Sequence, residues 1–531
     1  MDHYMPEIFW HDRQALLSVD VFPRLVNDKY RIATSSVQKE IRLWYLHFEQ
    51  VSMPVLPLAV DFVANLAFHN SAVNQIKFSP TSDVALLASA DCDGRVVIWQ
   101  LNSDSAPPPA TEDLPPNKEN WVRLKVLNHD SDVSSICWSP DGKYLASVSN
   151  DDCLLVHEAL TGKRSVSVRN FRHFPNGVSW DPLSKYLVTM SADRKMDLID
   201  AAKGTKLRCF GHTTLPSARV IQPEAQLEEK QYRLFHDDQL FSFQRGVSFS
   251  PCGQFIAAPC AHIESGPADI YGTFIFKREH LNKETPFALL PSPKPTFLVR
   301  FCPLVMELLD GDANLLGLPY RVLFLALTKD SILFYDSQHA HPIGSVENIH
   351  YNALTDAAWS TDGRIVVVSS LEGYCSFLRL NLDKWGQQYT GSLEAVAPLS
   401  PQLIQTKKKK TKKEKAVTDE NALVASDQSP QVTASKSQSK PNALQPSTPK
   451  NRPSASASIE KFFKRGHTPK ENRSDSSDKK EEDGENAQSE PKRIQLEPAK
   501  DQKPSQNDTT GQQQQQPQTG AKRRIQIVTL T

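Results

Sequence analysis

Between Leu66 and Leu101 short apolar runs alternate with tight polar breaks. Val73 and Ile76 fall at strand spacing, Phe78-Ser79-Pro80 makes a turn, and Leu86-Leu87-Ala88-Ser89-Ala90 reads as a second strand. Asp91-Cys92-Asp93-Gly94 reads as a hairpin turn, and Val96-Val97-Ile98-Trp99 closes the unit. This order predicts a four-stranded antiparallel blade. A blade cannot bury both faces alone, so one implies several more around it. The turn after the first strand recurs as Phe22-Pro23, Phe78-Ser79-Pro80, Trp138-Ser139-Pro140, Trp180-Asp181-Pro182, Phe249-Ser250-Pro251, Phe301-Cys302-Pro303 and Trp359-Ser360-Thr361. An aromatic plugs between blades while Ser-Pro or Asp-Pro starts the turn. Seven such units predict an all-β fold, a seven-bladed propeller whose closure removes exposed sheet edges.

His69, Ser89, Asp93 and Trp99 form the polar set that WD repeats use for internal support. In this reading the Asp accepts from the His and from hairpin amides, the Ser bonds the other imidazole nitrogen, and the His reaches the Trp. A nucleophilic triad would need an exposed serine on a strained turn. Ser89 instead lies within an apolar strand run.

The other blades are degenerate. The first keeps Trp44 with Gln38 at the Asp position, and the third keeps His129 and Asp151 with His157 in place of Trp. The fourth keeps Asp193 with Ile199 at the Trp position, and insertions at Thr213–Leu240 and Met306–Leu318 swell the fifth and sixth. Apolar strand packing is therefore expected to hold these blades more than polar tetrads do. Two loops, Asn102–Trp121 and Gln231–Asp238, mix aromatics with charge, which suits a protein interface or a loop folded back on its own blade.

After Leu380 the periodicity stops, and Lys, Ser, Gln, Pro and Glu dominate. Such a stretch buries too little apolar area to offset chain entropy. The predicted organisation is a WD-repeat propeller over 1–382 and a disordered basic tail over 383–531. Composition sharpens that division. The chain is neutral as a whole, yet residues 1–400 hold 36 Lys+Arg against 45 Asp+Glu, and residues 401–531 hold 25 against 16. An acidic surface and a cationic arm follow, or scatter over a large surface. The eight cysteines are scattered without a Cys-x-x-Cys pair, as expected of core fillers in a reducing compartment. Neither a leader-like start nor an 18-residue apolar run appears. There is also no Gly-rich phosphate loop and no ligand-spaced metal cluster, so no cofactor, small-molecule substrate or enzymatic activity is expected.

The tail carries islands. Lys407, Lys408, Lys409, Lys410, Lys412 and Lys413 form a basic run suited to nuclear import or to nucleic-acid binding. Ile459, Phe462 and Phe463 lie on one helical turn, and basic residues follow. This segment resembles the peptide that plugs the pocket of the replication sliding clamp, with Ser456 where that peptide has its leading Gln. Two further islands share a pattern: Lys492, Arg493, Ile494, Gln495 and Leu496, then Arg523, Arg524, Ile525, Gln526 and Ile527, the second ending in Leu530. Period-two alternation suits a strand added to a partner's sheet edge.

A WD propeller followed by Arg-Arg-Ile-x-Leu-like motifs resembles the p60-type middle subunits of chromatin assembly factor 1. The residues that carry the resemblance include Asn117–Trp121, Tyr232–Asp238, Leu318-Pro319-Tyr320-Arg321, Asn348-Ile349-His350-Tyr351 and Gly373–Phe377. The resemblance implies a nuclear histone chaperone complex that deposits core histones 3 and 4 on newly replicated DNA. It further implies a propeller docked on the large subunit, a small subunit in the same complex, and a tail motif that binds the anti-silencing-function histone chaperone. The motif departs from the family's pattern. Lys492 replaces an Arg and Ala499 the last Leu in one copy, and Ile527 and Thr529 replace Leu and Pro in the other. The alternative is a HIR-type subunit of replication-independent assembly, or a general WD-repeat scaffold.

Overall fold

The computed structural model describes residues 1–48, 58–81, 84–107, 114–214, 219–220, 230–264, 269–311, 313–393 and 526–529. Among the described residues seven blade sheets follow one another along the chain, with a small two-stranded sheet, His212–Thr214 against Gln231–Arg233, between blades four and five. Blade one comprises Leu16–Val26, Lys29–Ser36, Glu40–Phe48 and Leu58–Ala67 in sequential antiparallel order. Blades two, three and four repeat that order from Val73, Val133 and Pro175. Blade five starts at Ser248–Phe249 and carries Arg219–Val220 as a parallel fifth strand against Ala288–Ser292. Blade six starts at Leu298–Met306 and ends on Gly344–Glu347. Blade seven comprises Leu354–Trp359, Ile365–Ser370 and Cys375–Arg379. Its outer strand comes from the other end of the chain: Asp2–Tyr4 pairs with Phe377–Arg379 and closes the ring.

The core lies between adjacent blades. Ala33, Ile41 and Leu43 of blade one meet Val73, Ile76, Leu87 and Trp99 of blade two. Leu86, Ala88, Val96 and Ile98 on the other face of blade two meet Val133, Ile136, Trp138 and Leu145 of blade three. Middle strands are thus covered on both faces, which is why they read as continuous apolar runs rather than alternating ones. Five of the seven aromatic turns end their inner strands, while Phe22 and Phe301 lie inside longer ones, at register shifts. Two of the tryptophans also anchor to the preceding blade by hydrogen bonds: Trp138 Nε1 donates to Lys77 O at 2.9 Å, and Trp359 Nε1 to Arg300 O at 3.0 Å.

Chain packed on the propeller continues past residue 382. Trp385 sits edge-on to Phe334 at 5.2 Å, the Tyr389 amide donates to Val305 O, and Leu393 joins the apolar cluster between blades five and six.

Candidate interaction surface

In blade two the polar support is a closed network. His69 Nδ1 bonds Asp91 Oδ2 at 2.7 Å, His69 Nε2 bonds Ser89 Oγ at 2.7 Å, and Trp99 Nε1 donates to Ser89 Oγ at 2.9 Å. The acceptor is therefore Asp91 and not Asp93, and the Trp reaches the Ser rather than the His. Asp91 Oδ1 receives the hairpin amides of Asp93 and Arg95. The Asp93 side chain itself is exposed. Asp91 belongs to the strand Leu86–Asp91, and its carboxylate turns back over the hairpin that Gly94 completes at φ 83°. In blades three and seven the acid stands directly before the positive-φ turn residue, as Asp151 before Asp152 and Glu372 before Gly373. The separation from the histidine is nevertheless 22 residues in all three blades. That constant, rather than distance from the turn glycine, is the sequence signal that identifies Asp91.

The networks differ in charge. Burial alone would raise the Asp151 carboxyl, but the His129 hydrogen bond and charge outweigh it and hold it at about 2. Blade one has no carboxylate in its network. His11 Nε2 bonds Thr34 Oγ1 and Nδ1 bonds Ser36 Oγ, both at 3.0 Å, and Trp44 Nε1 donates to Thr34 Oγ1. Ser36, not Gln38, takes the acid's place, and the backbone N–H of Gln38 donates to its hydroxyl. Burial, followed by the nearby Arg42 guanidinium, pushes the His11 imidazole down to about 3.

Inside the ring, charge pairs tie the inner strands together. Lys77 Nζ lies 3.1 Å from Asp20, and Arg300 Nη2 lies 2.8 Å from Asp356. Asp356 also accepts from Ser18 Oγ at 2.6 Å, so one buried carboxylate links blades seven, one and six. Burial pushes the Asp20 carboxyl up, with Lys77 opposing it. Asp356 is held below the usual range, because Arg300 and Lys77 overcome its burial. Asp20, Lys77 and Arg300 line a cavity of about 520 Å³ between the inner strands, together with Phe78, Phe301 and Trp359. The described carboxy-terminal end of the first charged loop and the second charged loop fold back on the molecule. Glu119 accepts from Arg31, from Tyr45 and from Trp121 Nε1, while Arg31 stacks on Phe22, Tyr45 and Trp121. Tyr232, Leu234 and Phe235 are buried in the core of blade five.

Among the described residues, two exposed aromatics lie near Glu372-Gly373. Glu372 Oε2 accepts the Tyr351 amide at 2.7 Å, and the Tyr351 side chain is 78% exposed. The backbone of Arg13 packs on Gly373, and Arg13 covers Phe9, which is 60% exposed. A second feature is backbone: the outer edge of blade six, which accepts an added strand. There Gln526–Thr529, from the carboxy-terminal motif copy, pairs antiparallel with Gly344–Glu347, with Ile527 opposite Val346. The motif residues Lys492, Arg493, Ile494, Leu496, Arg523, Arg524, Ile525 and Leu530 lie outside the described residues. So do the clamp-like Ile459, Phe462 and Phe463 and the lysines 407–410, 412 and 413. Among the described residues no group of three or more His, Cys, Asp or Glu could hold a metal ion.

Residues 1–384 match the CAF1B/HIR1 β-propeller domain. The CAF1B-type subunit of chromatin assembly factor 1 from Gallus gallus is 36% identical over 396 residues, covering 72% of this chain and 68% of that protein. Its Mus musculus counterpart is 34% identical, with 72% and 67% covered. Protein HIR1 of Kluyveromyces lactis is 25% identical over 397 residues, covering 71% of this chain but 42% of that protein. On this match and these identities, the chain belongs to the CAF1B/HIR1 β-propeller family and groups with the CAF1B-type subunits of chromatin assembly factor 1.

Proposed function

We propose that this chain is the non-catalytic middle subunit of a nuclear histone chaperone complex that deposits core histones 3 and 4 on newly replicated DNA. The observation that carries the reading is the extent of likeness to its relatives. Likeness to the chicken chromatin assembly factor subunit runs over two thirds of that protein at 36% identity, whereas likeness to HIR1 of Kluyveromyces lactis stops at 42% of its length and 25% identity. The propeller docks on the large subunit, in a complex that also holds the small one. The open patch around Phe9 and Tyr351 fits that role, because large exposed aromatics set in a firm surface act as interface anchors. The tail motifs donate a strand to the sheet edge of the anti-silencing-function chaperone, with main-chain hydrogen bonds giving affinity. The basic run at Lys407–Lys413 serves nuclear import, and Ile459, Phe462 and Phe463 offer a contact for the sliding clamp.

The test is tagged purification of the chain from nuclear extract, with mass spectrometry of what accompanies it. Expected are the large and small subunits of chromatin assembly factor 1 together with histones 3 and 4. Recovery of HIR-complex subunits in their place would assign the chain to replication-independent assembly. Substituting Tyr351→Ala together with Phe9→Ala should weaken recovery of the large subunit at least tenfold and leave the tail's partner unaffected.

A further inference from the structure

Blade edges in this propeller are guarded unequally. A free outer strand offers a row of unpaired backbone donors and acceptors, which proteins blunt with basic residues, proline or an added segment. The outer strands of blades two, three and four carry Arg123 and Lys125, Arg164, and Lys206 and Arg208. Blade five has Pro291 in its outer strand and Arg219–Val220 laid alongside. The outer strands of blades one and seven also lack both, the first being covered by Asn117 and Lys118 and the second being only three residues long; that of blade six is Gly344-Ser345-Val346-Glu347, again with neither a basic residue nor proline. It is the edge on which Gln526–Thr529 lies, in the register Gly344 to Thr529, Ser345 to Val528, Val346 to Ile527 and Glu347 to Gln526.

The two motif copies differ at the positions that decide strand pairing. The pairing copy runs Gln526-Ile527-Val528-Thr529, three β-branched residues in succession after the Gln. Such residues favour a pleated strand. In the other copy the matching residues are Gln495-Leu496-Glu497-Pro498. Pro498 has no amide proton to give where Thr529 stands opposite Gly344, and proline is poorly tolerated within a ladder. Residues 394–525 supply ample covalent length for the end of the chain to reach blade six, and the excess positive charge of residues 401–531 complements the negative excess of 1–400.

We propose that the outer edge of blade six is a strand-accepting surface whose occupant is this chain's own Gln526–Thr529. The two copies thereby divide their roles: the carboxy-terminal copy is stored on the propeller, and the copy at Lys492–Pro498 is the one offered first to a strand-accepting partner. The second half of this statement rests on the strand-donation reading given above. Docking commits one of the two hydrogen-bonding edges of Gln526–Thr529 to Gly344–Glu347, and a partner's sheet taking the other edge would have to lie against blade six, so propeller docking competes with donation of the carboxy-terminal copy.

Directly opposed residues of an antiparallel pair lie roughly 4.5–5.5 Å apart at Cα, within the range that a disulfide bridges. The full chain carrying Ser345→Cys and Val528→Cys should therefore form that disulfide on mild oxidation, read by peptide mass mapping. The full chain with Ser345→Cys and Glu497→Cys, the matching position of the other copy, should give at least tenfold less. Equal yields, or none in the first chain, overturn the docking. Independently, Val528→Pro should speed amide exchange at Gly344–Glu347 at least tenfold, and unchanged exchange overturns it as well. For the competition, the cysteine pair is placed in an Ile494→Ala background and titrated with the anti-silencing-function chaperone. The oxidised chain should bind at least tenfold more weakly than the same chain after reduction, and equal binding overturns the competition. Failure of the reduced chain with both motifs intact to bind would count against the strand-donation reading, while the cross-linking yields still decide the docking.

Discussion

Asp91 accepts three hydrogen bonds: one from His69 and two from backbone amides, with its side chain fully buried. Removing such an acceptor leaves donors stranded without water, which costs on the order of 1–3 kcal/mol. Asp91→Ala should lower the melting temperature accordingly. Asp93→Ala trims an exposed side chain and should stay within about 0.5 kcal/mol of the parent. Equal shifts in the two melting curves would sink this assignment. The types of residue in the network were legible from the sequence, and the position of the acid was not. A hairpin reading places the acid beside the glycine, as Asp151 and Glu372 are placed beside their turn residues, whereas blade two uses the strand's last residue. His11 gives a second test at this scale. Its imidazole is pushed from 6.5 to about 3 by burial and then by Arg42. The unfolded chain thus binds the proton and the folded chain does not between those values. The associated stability is complete above about pH 6.5 and is lost as pH falls toward about 3. Urea midpoints measured from pH 7 to 4.5 should fall less steeply in His11→Asn, by up to about 1.4 kcal/mol per pH unit. An unchanged slope would mean that another group sets the acid limit.

At the scale of elements, the turn after an inner strand does more than reverse the chain. Trp180-Asp181-Pro182 was readable as the fourth of seven such turns. Nothing nearby in sequence indicated that Asp181 is the buried partner of Arg278, because the two lie 97 residues apart. Arg278 Nη1 and Nη2 donate to the two carboxylate oxygens at 2.8 and 2.7 Å, and a third bond reaches Gly253 O. Asp181 also fixes its own turn through the amides of Leu183 and Lys185. Blade four is in this way bolted to the short 3-10 turn Arg278–His280 of blade five. Removing one member of a buried pair strands the other charge and costs about 3–5 kcal/mol. Asp181→Ala should therefore destabilise strongly, and Arg278→Met combined with Asp181→Leu should recover part of the loss. A double variant no better than Asp181→Ala in chemical denaturation would show that the turn amides, not the ion pair, carry the effect.

For the whole molecule the decisive feature is closure, whose last strand the repeat pattern does not reveal. Counting aromatic turns gave seven blades, since each turn repeats a local pattern. It could not show that Asp2–Tyr4 completes blade seven, because three residues carry no periodicity and their partner lies more than 370 positions away. The physical role of that strand follows from the ring. Without it Cys375–Arg379 becomes a free edge beside blade one, where Trp10 packs on Phe377 at 5.8 Å, and the contact of Tyr4 with Phe48 at 5.8 Å is lost. His3 Nε2 adds a bond to Ser376 Oγ at 3.0 Å. A few ladder and side-chain hydrogen bonds at about 0.5–1.5 kcal/mol each amount to roughly 2–4 kcal/mol. Deleting residues 2–4 should lower stability by about that much without changing the packing of blades two to five. Amide exchange should consequently accelerate first at Cys375–Arg379 and in blade one, while Leu86–Asp91 stays protected. A uniform acceleration across all blades would mean that the ring unfolds as one unit. No acceleration at Cys375–Arg379 would mean that the amino-terminal strand does not close it.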